Sequence, residues 1–538
     1  MKPLLTTSFS TKPQTSVMID RLALMAVLLL AMSLRFYALE RPFFWLDEAF
    51  SLRLGSMSVD QIWYYTGRDV HPPFYYYVLH VWFLIWGDSP YAARALSAVA
   101  GSMAVICSVY VVGAIAGPRA GIVCGLLTAF LPIAIRYSQE ARMYALLSFL
   151  LLASLLALTA WVTNPDRKKY LFWYVFFSVL AIYTHYFAAL AIASSWVYLF
   201  FLSVRSTRGH KYVLHPLWWW ANLFIAISYV PWAFSLLHLL STVNLIGQNG
   251  LFAWIAPVSY QTIPSLFWAF FTLQNVHVSD VLGCWLLTFL VLSLSWFVVY
   301  RDKNQFSLCM LVVSYLWTPM IVAMSISFVV PMITIRYLAF CSMAVPMIVA
   351  VAIACSNWRY MVAVLALMLL VEVPGVLSVY QQVDDLNYSR SPQDFPMEKL
   401  GRKLKSSIAS GDKIVVEGTL WYYSLEAYGF SDRQPMLFER SWVHDTASRP
   451  TGFGFLSLLD PVRDEVFLFS LSKLSNESQR VWWVSGHSGS NMDESIEFPN
   501  NWVQKGRWDF GNLNLRLFNI FASSNEKRQP SIMADAIQ

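Results

Sequence analysis

Long apolar runs recur along the chain between Leu22 and Tyr380, and short polar segments separate them. Each run is on the order of 20 residues, the length that predicts a helix crossing a lipid bilayer. We place about eleven such crossings: 20–39, 91–115, 119–135, 142–161, 169–184, 186–203, 216–238, 279–300, 306–329, 337–355 and 358–378. Phe74–Trp86 and Ile263–Thr272 are apolar but too short to cross. We interpret them as interfacial helices on the outer side, the former in the first outer loop.

After Tyr380 the pattern changes to mixed polar and apolar positions. Alternating runs predict short strands, at Lys413–Glu417, Glu465–Phe469, Val481–Val484 and Asn512–Phe518. Helix-like stretches fall at Met397–Ala409 and Leu420–Tyr428. The chain is therefore predicted to hold a transmembrane domain over residues 1–380 and an extracytoplasmic α/β domain over residues 381–538.

Positive charge predicts the orientation of the spans, because Lys and Arg collect in cytoplasmic loops. One side carries most of the basic residues of the segment 1–380: Lys2, Lys12, Arg21, Arg119, Arg167, Lys168, Lys169, Arg205, Arg208, Lys211, Arg301, Lys303 and Arg359. The outer loop 239–278 has no Lys or Arg. We therefore expect a multi-pass protein of the bacterial inner membrane, with a cytoplasmic N-terminus, a retained first helix and a periplasmic C-terminal domain.

Composition supports this class and excludes others. Charged residues make up 13% of the chain, against roughly 25% in a soluble domain. All six cysteines lie in apolar spans, so no disulfide framework is expected. No basic stripe interleaved with aromatic residues points to nucleic acid.

The first outer loop places two acids, Asp47 and Glu48, directly after a span. Charge so close to hydrocarbon is costly unless it faces water or a partner. A carboxylate here could act as a general base toward a hydroxyl or bind a metal with its neighbour. The alternative is an ion pair with Arg41 or Arg53 that only fixes the helix end.

The same loop ends in Asp69-Val70-His71-Pro72-Pro73. Asp69 and His71 are two residues apart, so in an extended segment both side chains point the same way. That spacing permits a divalent metal site or an acid–base pair. It also permits a plain cap of the helix that follows.

Three arginines, Arg136, Arg142 and Arg336, fall on the outer side, where positive charge is disfavoured. A guanidinium suits phosphate because its donors form a fork. The alternatives are an ion pair between Arg136 and Glu140, four residues apart, and an Arg336 that reaches lipid headgroups. His185 lies at the outer end of a span, either as a structural residue or as a ligand.

Six stretches together resemble a known superfamily: WLDEAFS (45–51), DVHPPFYYYVLHVWF (69–83), GDSPYAARALSAVAG (87–101), RAGIVCGLLTAFLPIAIRYSQEARMYAL (119–146), YTHYF (183–187) and IRYLAF (335–340). The chain resembles bacterial membrane glycosyltransferases of the GT-C fold. These are related to the dolichyl-phosphate-mannose protein mannosyltransferases and the aminoarabinose lipid A transferases. The resemblance covers roughly residues 20–350.

This resemblance implies a sugar donor linked to polyprenyl phosphate and an acceptor hydroxyl on a lipid, glycan or protein. It implies that Asp47, beside Glu48, is the general base of an inverting transfer, and that Arg136, Arg142 and Arg336 bind the donor phosphate. The acceptor or metal region would contain the remaining polar residues: Asp69, His71, Glu140 and His185. Aminoarabinose transferases tend to carry an acid and a lysine before the two prolines. The chain has Val70-His71 there, so their metal scheme is not transferred.

Two other classes remain open. A transporter or lipid flippase should show broken helices or charge midway through the bilayer, and here Glu372 is the exception among nearly uncharged spans. A non-catalytic subunit of the same fold would not need the outer acids and arginines.

Overall fold

The computed structural model describes residues 14–205, 212–246, 255–302, 308–356, 358–387, 394–430, 433–444, 449–450, 452–475, 478–486 and 496–522. Several basic residues that indicated the orientation lie outside these ranges: Lys2, Lys12, Arg208, Lys211 and Lys303. By their internal contacts the residues form two units. The first comprises Met1–Pro42, Phe50–Ser391 and Phe453–Phe455, and the second comprises Phe43–Ala49, Pro392–Gly452 and Leu456–Gln538.

The first unit, as far as it is described, is built from α-helices. Together with α2, whose first turn belongs to the second unit, they are α1 Gln14–Phe36, α2 Leu46–Gly55, α3 Val59–Thr66, α4 Phe74–Trp86, α5 Pro90–Ala116, α6 Pro118–Phe130, α7 Pro132–Ser138, α8 Tyr144–Thr163, α9 Lys168–Ile182, α10 Ala188–Arg205, α11 Pro216–Ser228, α12 Val230–Ile246, α13 Thr262–Thr272, α14 Val281–Arg301, α15 Leu308–Ser327, α16 Ala339–Ser342, α17 Ala344–Ala354 and α18 Trp358–Gln381.

Among the described residues, six helices are long and apolar enough to cross a membrane. The number rises to eight if each of two bent helix pairs is one span. The protein is therefore a multi-span membrane protein, and the larger count of about eleven stays a prediction.

The two short apolar stretches are helices of their own, as predicted. α4 has 13 residues and α13 has 11. At 1.5 Å per residue they are about 20 Å long or less, which is too short for a hydrocarbon core of about 30 Å.

The span predicted at 119–135 is broken, which the sequence analysis did not expect. α6 ends at Phe130, α7 begins at Pro132, and the two helices are bent by 63°. Pro132 has no N–H group and its ring collides with the preceding helical turn, which explains the break. A second pair, α11 and α12, is bent by 52° next to Pro231.

Arg35, in the last turn of α1, is fully buried beside the first break. Its guanidinium donates to the carbonyl oxygens of Thr128 and Ala129 at 3.4 and 3.3 Å. The carbonyl of Thr128 would pair with the N–H of residue 132 in a continuous helix, but that residue is a proline. Arg35 also donates from Nε to Ser138 Oγ at 3.2 Å. It therefore replaces lost hydrogen bonds and ties the end of α6 to the end of α7.

α5 approaches this point closely at Gly101. A methyl group there would overlap Ser138 Oγ and lie 3.1 Å from Arg35 Nε. Small residues allow such approaches between transmembrane helices. α1, α5 and α6 share an apolar core formed by Val27, Ala31, Val105, Val109 and Ala129.

The second unit contains an α/β domain, as predicted. Its elements are α19 Met397–Ser407, β1 Lys413–Glu417, α20 Thr419–Leu425, β2 Met436–Phe438, α21 Ser441–His444, α22 Arg463–Val466, α23 Ser472–Ser475, β3 Gln479–Gly486, β4 Trp502–Phe510 and β5 Leu513–Ile520. The five strands form one sheet in the order β2-β1-β3-β5-β4. β1, β2 and β3 are parallel, and β5 runs antiparallel to both β3 and β4.

A two-residue turn joins β4 to β5. Gly511 in this turn has a φ of 55°, a conformation that favours glycine and is common in tight hairpins. Phe510 and Leu513 are paired on either side of the turn. β4 and β5 therefore form a local hairpin.

Most of the predicted elements of this domain are present. Three β-like runs coincide with or overlap strands: Lys413–Glu417 with β1, Val481–Val484 with β3 and Asn512–Phe518 with β5. The two helix-like stretches correspond to α19 and α20.

The strand predicted at Glu465–Phe469 is wrong. Its first residues belong to the helical turn Arg463–Val466, and Phe467 makes only an isolated bridge to Leu437. Two acids follow Arg463 directly, and acids in a first turn favour a helix by interacting with its dipole.

We expect Arg35→Gln to lower the free energy of unfolding by about 2 kcal/mol or more, because buried carbonyls lose charged donors. Equilibrium unfolding in mixed SDS–detergent micelles measures this. Arg119→Gln is a matched control, since Arg119 is exposed in the first turn of α6. Equal stability of the two variants would contradict the role of Arg35.

Candidate active site

Arg136 lies in the last turn of α7 and is buried. Its Nε donates to Asp384 Oδ1 at 3.3 Å, and its Nη1 lies 3.9 Å from Glu140 Oε2. The ion pair weighed as an alternative in the sequence is therefore present, at the long end of the range. The shorter contact is to Asp384, just after α18, which the sequence analysis did not single out.

Arg142 lies between α7 and α8 and is also buried. Its Nη1 donates to Ser51 Oγ and to Tyr76 Oη, both at 3.3 Å. Ser97 Oγ donates to the carbonyl oxygen of Arg142 at 3.1 Å. Side chains from α2, α4 and α5 therefore fix both the guanidinium and the backbone of this residue.

Asp69 and His71 do converge, as their spacing predicts. Asp69 Oδ2 and His71 Nδ1 are 3.2 Å apart, and both residues are buried. The same Nδ1 lies 3.4 Å from Arg142 Nη2. A single ring nitrogen either donates to Asp69 or accepts from Arg142, so the imidazole stands between an acid and a guanidinium.

His185 lies in the connection between α9 and α10. The backbone N–H of Phe187 donates to His185 Nδ1 at 3.1 Å. The imidazole ring is 5.7 Å from that of His71 and 5.0 Å from the ring of Tyr337, measured between centroids. The structure therefore brings His185 next to the Asp69–His71 pair.

The pKa of His185 is held well below its ordinary value. Burial is the main cause, and the neighbouring His71, Arg142 and Arg336 add to it. An imidazole in this environment is neutral near pH 7. Arg336, half-buried at the start of a single 3₁₀ turn, is thus close enough to act electrostatically on His185.

Asp47 and Glu48 occupy the first turn of α2. Both are buried, and both belong to the segment Phe43–Ala49 of the second unit.

The described residues do not fit a bound metal ion. Asp69 and His71 offer two ligands, and no group of three or more His, Cys, Asp or Glu residues is placed to hold a metal among the described residues. The guanidinium of Arg142 lies beside His71 and would repel a dication. An acid–base or structural pair agrees better with this geometry than a metal site.

The cluster is suited to binding an anion. The buried guanidiniums of Arg136 and Arg142 and the half-buried Arg336 lie near polar partners that include Asp69, Glu140 and Asp384. Buried arginines hold their charge and present planar sets of donors. A phosphate would use donors that are already oriented by the protein.

One family profile matches part of the chain. It is described as dolichyl-phosphate-mannose-protein mannosyltransferase, and it matches residues 70–234. This range includes His71, Arg136, Arg142 and His185. Comparison with curated protein sequences gave no match.

Solved structures show a clear similarity of fold. The chain is similar to ArnT from Cupriavidus metallidurans bound to undecaprenyl phosphate. The sequence identity is 14%, the TM-score is 0.58, and the alignment covers 95% of this chain and 99% of that one. Against the same protein in the apo state, the values are 12% and 0.56, covering 88% and 93%.

The oligosaccharyltransferase of Archaeoglobus fulgidus in the apo form is similar too. The identity is 12% and the TM-score 0.52, covering 88% of this chain and 70% of that chain. At these identities the likeness concerns the fold. The chain has the GT-C fold that its sequence predicts.

We expect acidification to destabilise the protein partly through His185. Its folded pKa is depressed, so the unfolded chain binds the proton more readily and stability falls as the pH drops below about 6.5. His185→Asn should reduce this loss, by at most about 1.4 kcal/mol per pH unit. Melting temperatures in detergent between pH 7 and 5 test it. The exposed His277, as His277→Asn, is the control, and identical pH profiles for wild type and His185→Asn would contradict the prediction.

Proposed function

We propose that the protein is a glycosyltransferase of the bacterial inner membrane. It transfers a sugar from a polyprenyl-phosphate carrier to an acceptor hydroxyl on the outer face. The observation that carries this proposal is the pair of buried guanidiniums, Arg136 and Arg142, with exposed fractions of 2% and 1%. Guanidinium donors form a fork that suits phosphate, and the donor implied by the GT-C resemblance is a lipid phosphate.

Arg142 is the best-supported phosphate ligand. Its contacts to Ser51 and Tyr76 orient the fork of its guanidinium. Arg136 and Arg336 add positive charge around it. Negative charge grows on the phosphate as the sugar leaves, so fixed donors stabilise the transition state more than the ground state.

Asp47 is the proposed general base. It lies one helical turn before Ser51 in α2, the same helix that provides a hydroxyl to Arg142. The acceptor oxygen attacks the anomeric carbon while its proton passes to the Asp47 carboxylate. The bond from the anomeric carbon to the phosphate oxygen breaks, and polyprenyl phosphate leaves with that electron pair. A single displacement inverts the configuration.

The other polar residues are assigned to positioning. Asp69 and His71 face Arg142, and a neutral His185 completes that side with a donor or an acceptor. Glu140 balances Arg136. Glu48 neighbours the base in the first turn of α2 and shapes the acceptor side.

We expect Asp47→Asn to reduce sugar transfer by about 100-fold or more, the range in which general-base catalysis contributes, while donor binding is retained. The measurement is transfer of radiolabelled sugar from a panel of synthetic polyprenyl-phosphate donors, with a membrane extract as acceptor source. Asp60→Asn is the matched control, because Asp60 is an exposed acid in the first turn of the neighbouring helix α3.

EDTA-treated duplicates accompany this assay. They test whether transfer needs a divalent metal ion, for which Asp69 and His71 are the candidate ligands. If Asp47→Asn transfers sugar as fast as wild type, Asp47 is not the general base. If wild type transfers sugar from none of the donors, the protein is not a glycosyltransferase of this class.

Transport of a lipid or sugar is the second candidate, and Glu372 favours it. Its carboxyl group is buried in α18, and both oxygens lack a hydrogen-bond partner among the described residues. Two of the spans are also bent at breaks. Ionisable groups inside spans and broken helices are both typical of transporters.

Glu372→Gln separates the two functions. A glycosyltransferase should retain most of its transfer activity, because Gln has nearly the same shape and Glu372 has no role in the proposed chemistry. A transporter should lose lipid movement in reconstituted vesicles. The transport function would be favoured over our proposal by three results together. Wild type moves lipid, Glu372→Gln does not, and Asp47→Asn moves lipid as wild type does.

A further inference from the structure

Three arginines of the second unit lie in or beside its sheet. Arg507 and Arg516 lie inside β4 and β5, and Arg516 is opposite Trp483 of β3. Arg440 lies two residues after the end of β2. The charges of Arg507 and Arg440 both act on Arg516.

Two of these arginines are direct neighbours across strands. Arg507 of β4 pairs with Arg516 of β5 in the register of the sheet. Like charges placed directly opposite each other destabilise a sheet. Arg507 is held by hydrogen bonds from Nε to Asp509 Oδ1 and from Nη2 to Asn514 Oδ1, both at 3.1 Å.

The third arginine, Arg440, follows β2 and is paired with an acid. Its Nε donates to Glu417 Oε1. The other oxygen of Glu417 accepts a hydrogen bond from Trp483 Nε1 at 3.1 Å. Both carboxylate oxygens of Glu417 are therefore engaged by residues other than Arg516.

Arg516 differs from Arg507 and Arg440 in its hydrogen bonds. It is half-buried, and its buried Nε has no hydrogen-bond partner among the described residues. Burial lowers its pKa, and the charges of Arg507 and Arg440 lower it further, while those of Glu417 and Asp509 raise it. Two guanidiniums and two carboxylates thus act electrostatically on Arg516.

We propose that Arg516, Arg507 and Arg440 form a binding site for a phosphate or carboxylate group of the acceptor. An anion here would relieve the repulsion between Arg507 and Arg516 and accept a hydrogen bond from the unmatched Nε. Guanidinium forks are suited to both kinds of oxyanion. That the anion belongs to the acceptor rests on the proposed function, whereas the binding of an anion does not.

Equilibrium dialysis of the full-length protein in neutral detergent tests the binding directly. The probes are radiolabelled inorganic phosphate and radiolabelled glucuronic acid, which distinguish the two oxyanions. We expect saturable binding of at least one probe, weakened about tenfold or more by Arg516→Gln through the loss of a charged hydrogen bond.

Two further variants keep the result interpretable. Arg507→Gln, at a side chain with 51% exposure, is not expected to disturb folding and should also weaken binding. Arg480→Gln is the matched control. Arg480 is another partly exposed arginine of the sheet. It lies near the start of β3 and is paired with Asp412. The variant should bind both probes like wild type.

Absence of saturable binding of both probes overturns the site. So does equal weakening by Arg480→Gln, or wild-type binding by Arg507→Gln. The sugar-transfer assay is scored separately with serially diluted acceptor extract. Arg516→Gln should need more extract for half-maximal transfer while reaching the same maximum. Binding without any transfer by wild type would sink the proposed function and leave the anion site standing.

Discussion

The break between α6 and α7 needs hydrogen bonds to the backbone carbonyls that lose their helical partners there. Hydrocarbon offers no water to replace a missing partner, so a broken helix needs a donor from the protein. Arg35 is that donor, and its charge is accommodated because it contacts Thr128, Ala129 and Ser138 together. Its contact to Ser138 lies two residues from Arg136, in the last turn of α7.

The sequence could predict features that repeat locally. Apolar runs indicated the membrane helices, and the short lengths of α4 and α13 followed from the same count. The spacing of Asp69 and His71 permitted an acid–base pair, and their side chains do lie within hydrogen-bond distance. Arg136 and Arg142 were expected to need partners, and both are buried among polar groups. Their position on the outer side stays a prediction.

Features set by distant contacts could not be predicted. Asp384 pairs with Arg136 across 248 positions of the chain, and no local pattern marks it. β4 was missed because it is an edge strand with mostly exposed polar residues and a bulge between Gln504 and Gly506. Pro132 gave a signal for the bend, but only the carbonyl contacts of Arg35 explain how the bend is tolerated in a membrane.

The order of the sheet has a consequence for synthesis. β5 lies between β3 and β4, so the strand that closes the sheet is the last of the five to leave the ribosome. The hairpin of β4 and β5 can form by itself through Gly511, but β3 remains an open edge until that hairpin docks. Open edges invite pairing with other chains. A nascent chain stalled before residue 513 would therefore expose the unpaired edge of β3 to chaperones and proteases. This would hold even after its membrane helices had been inserted.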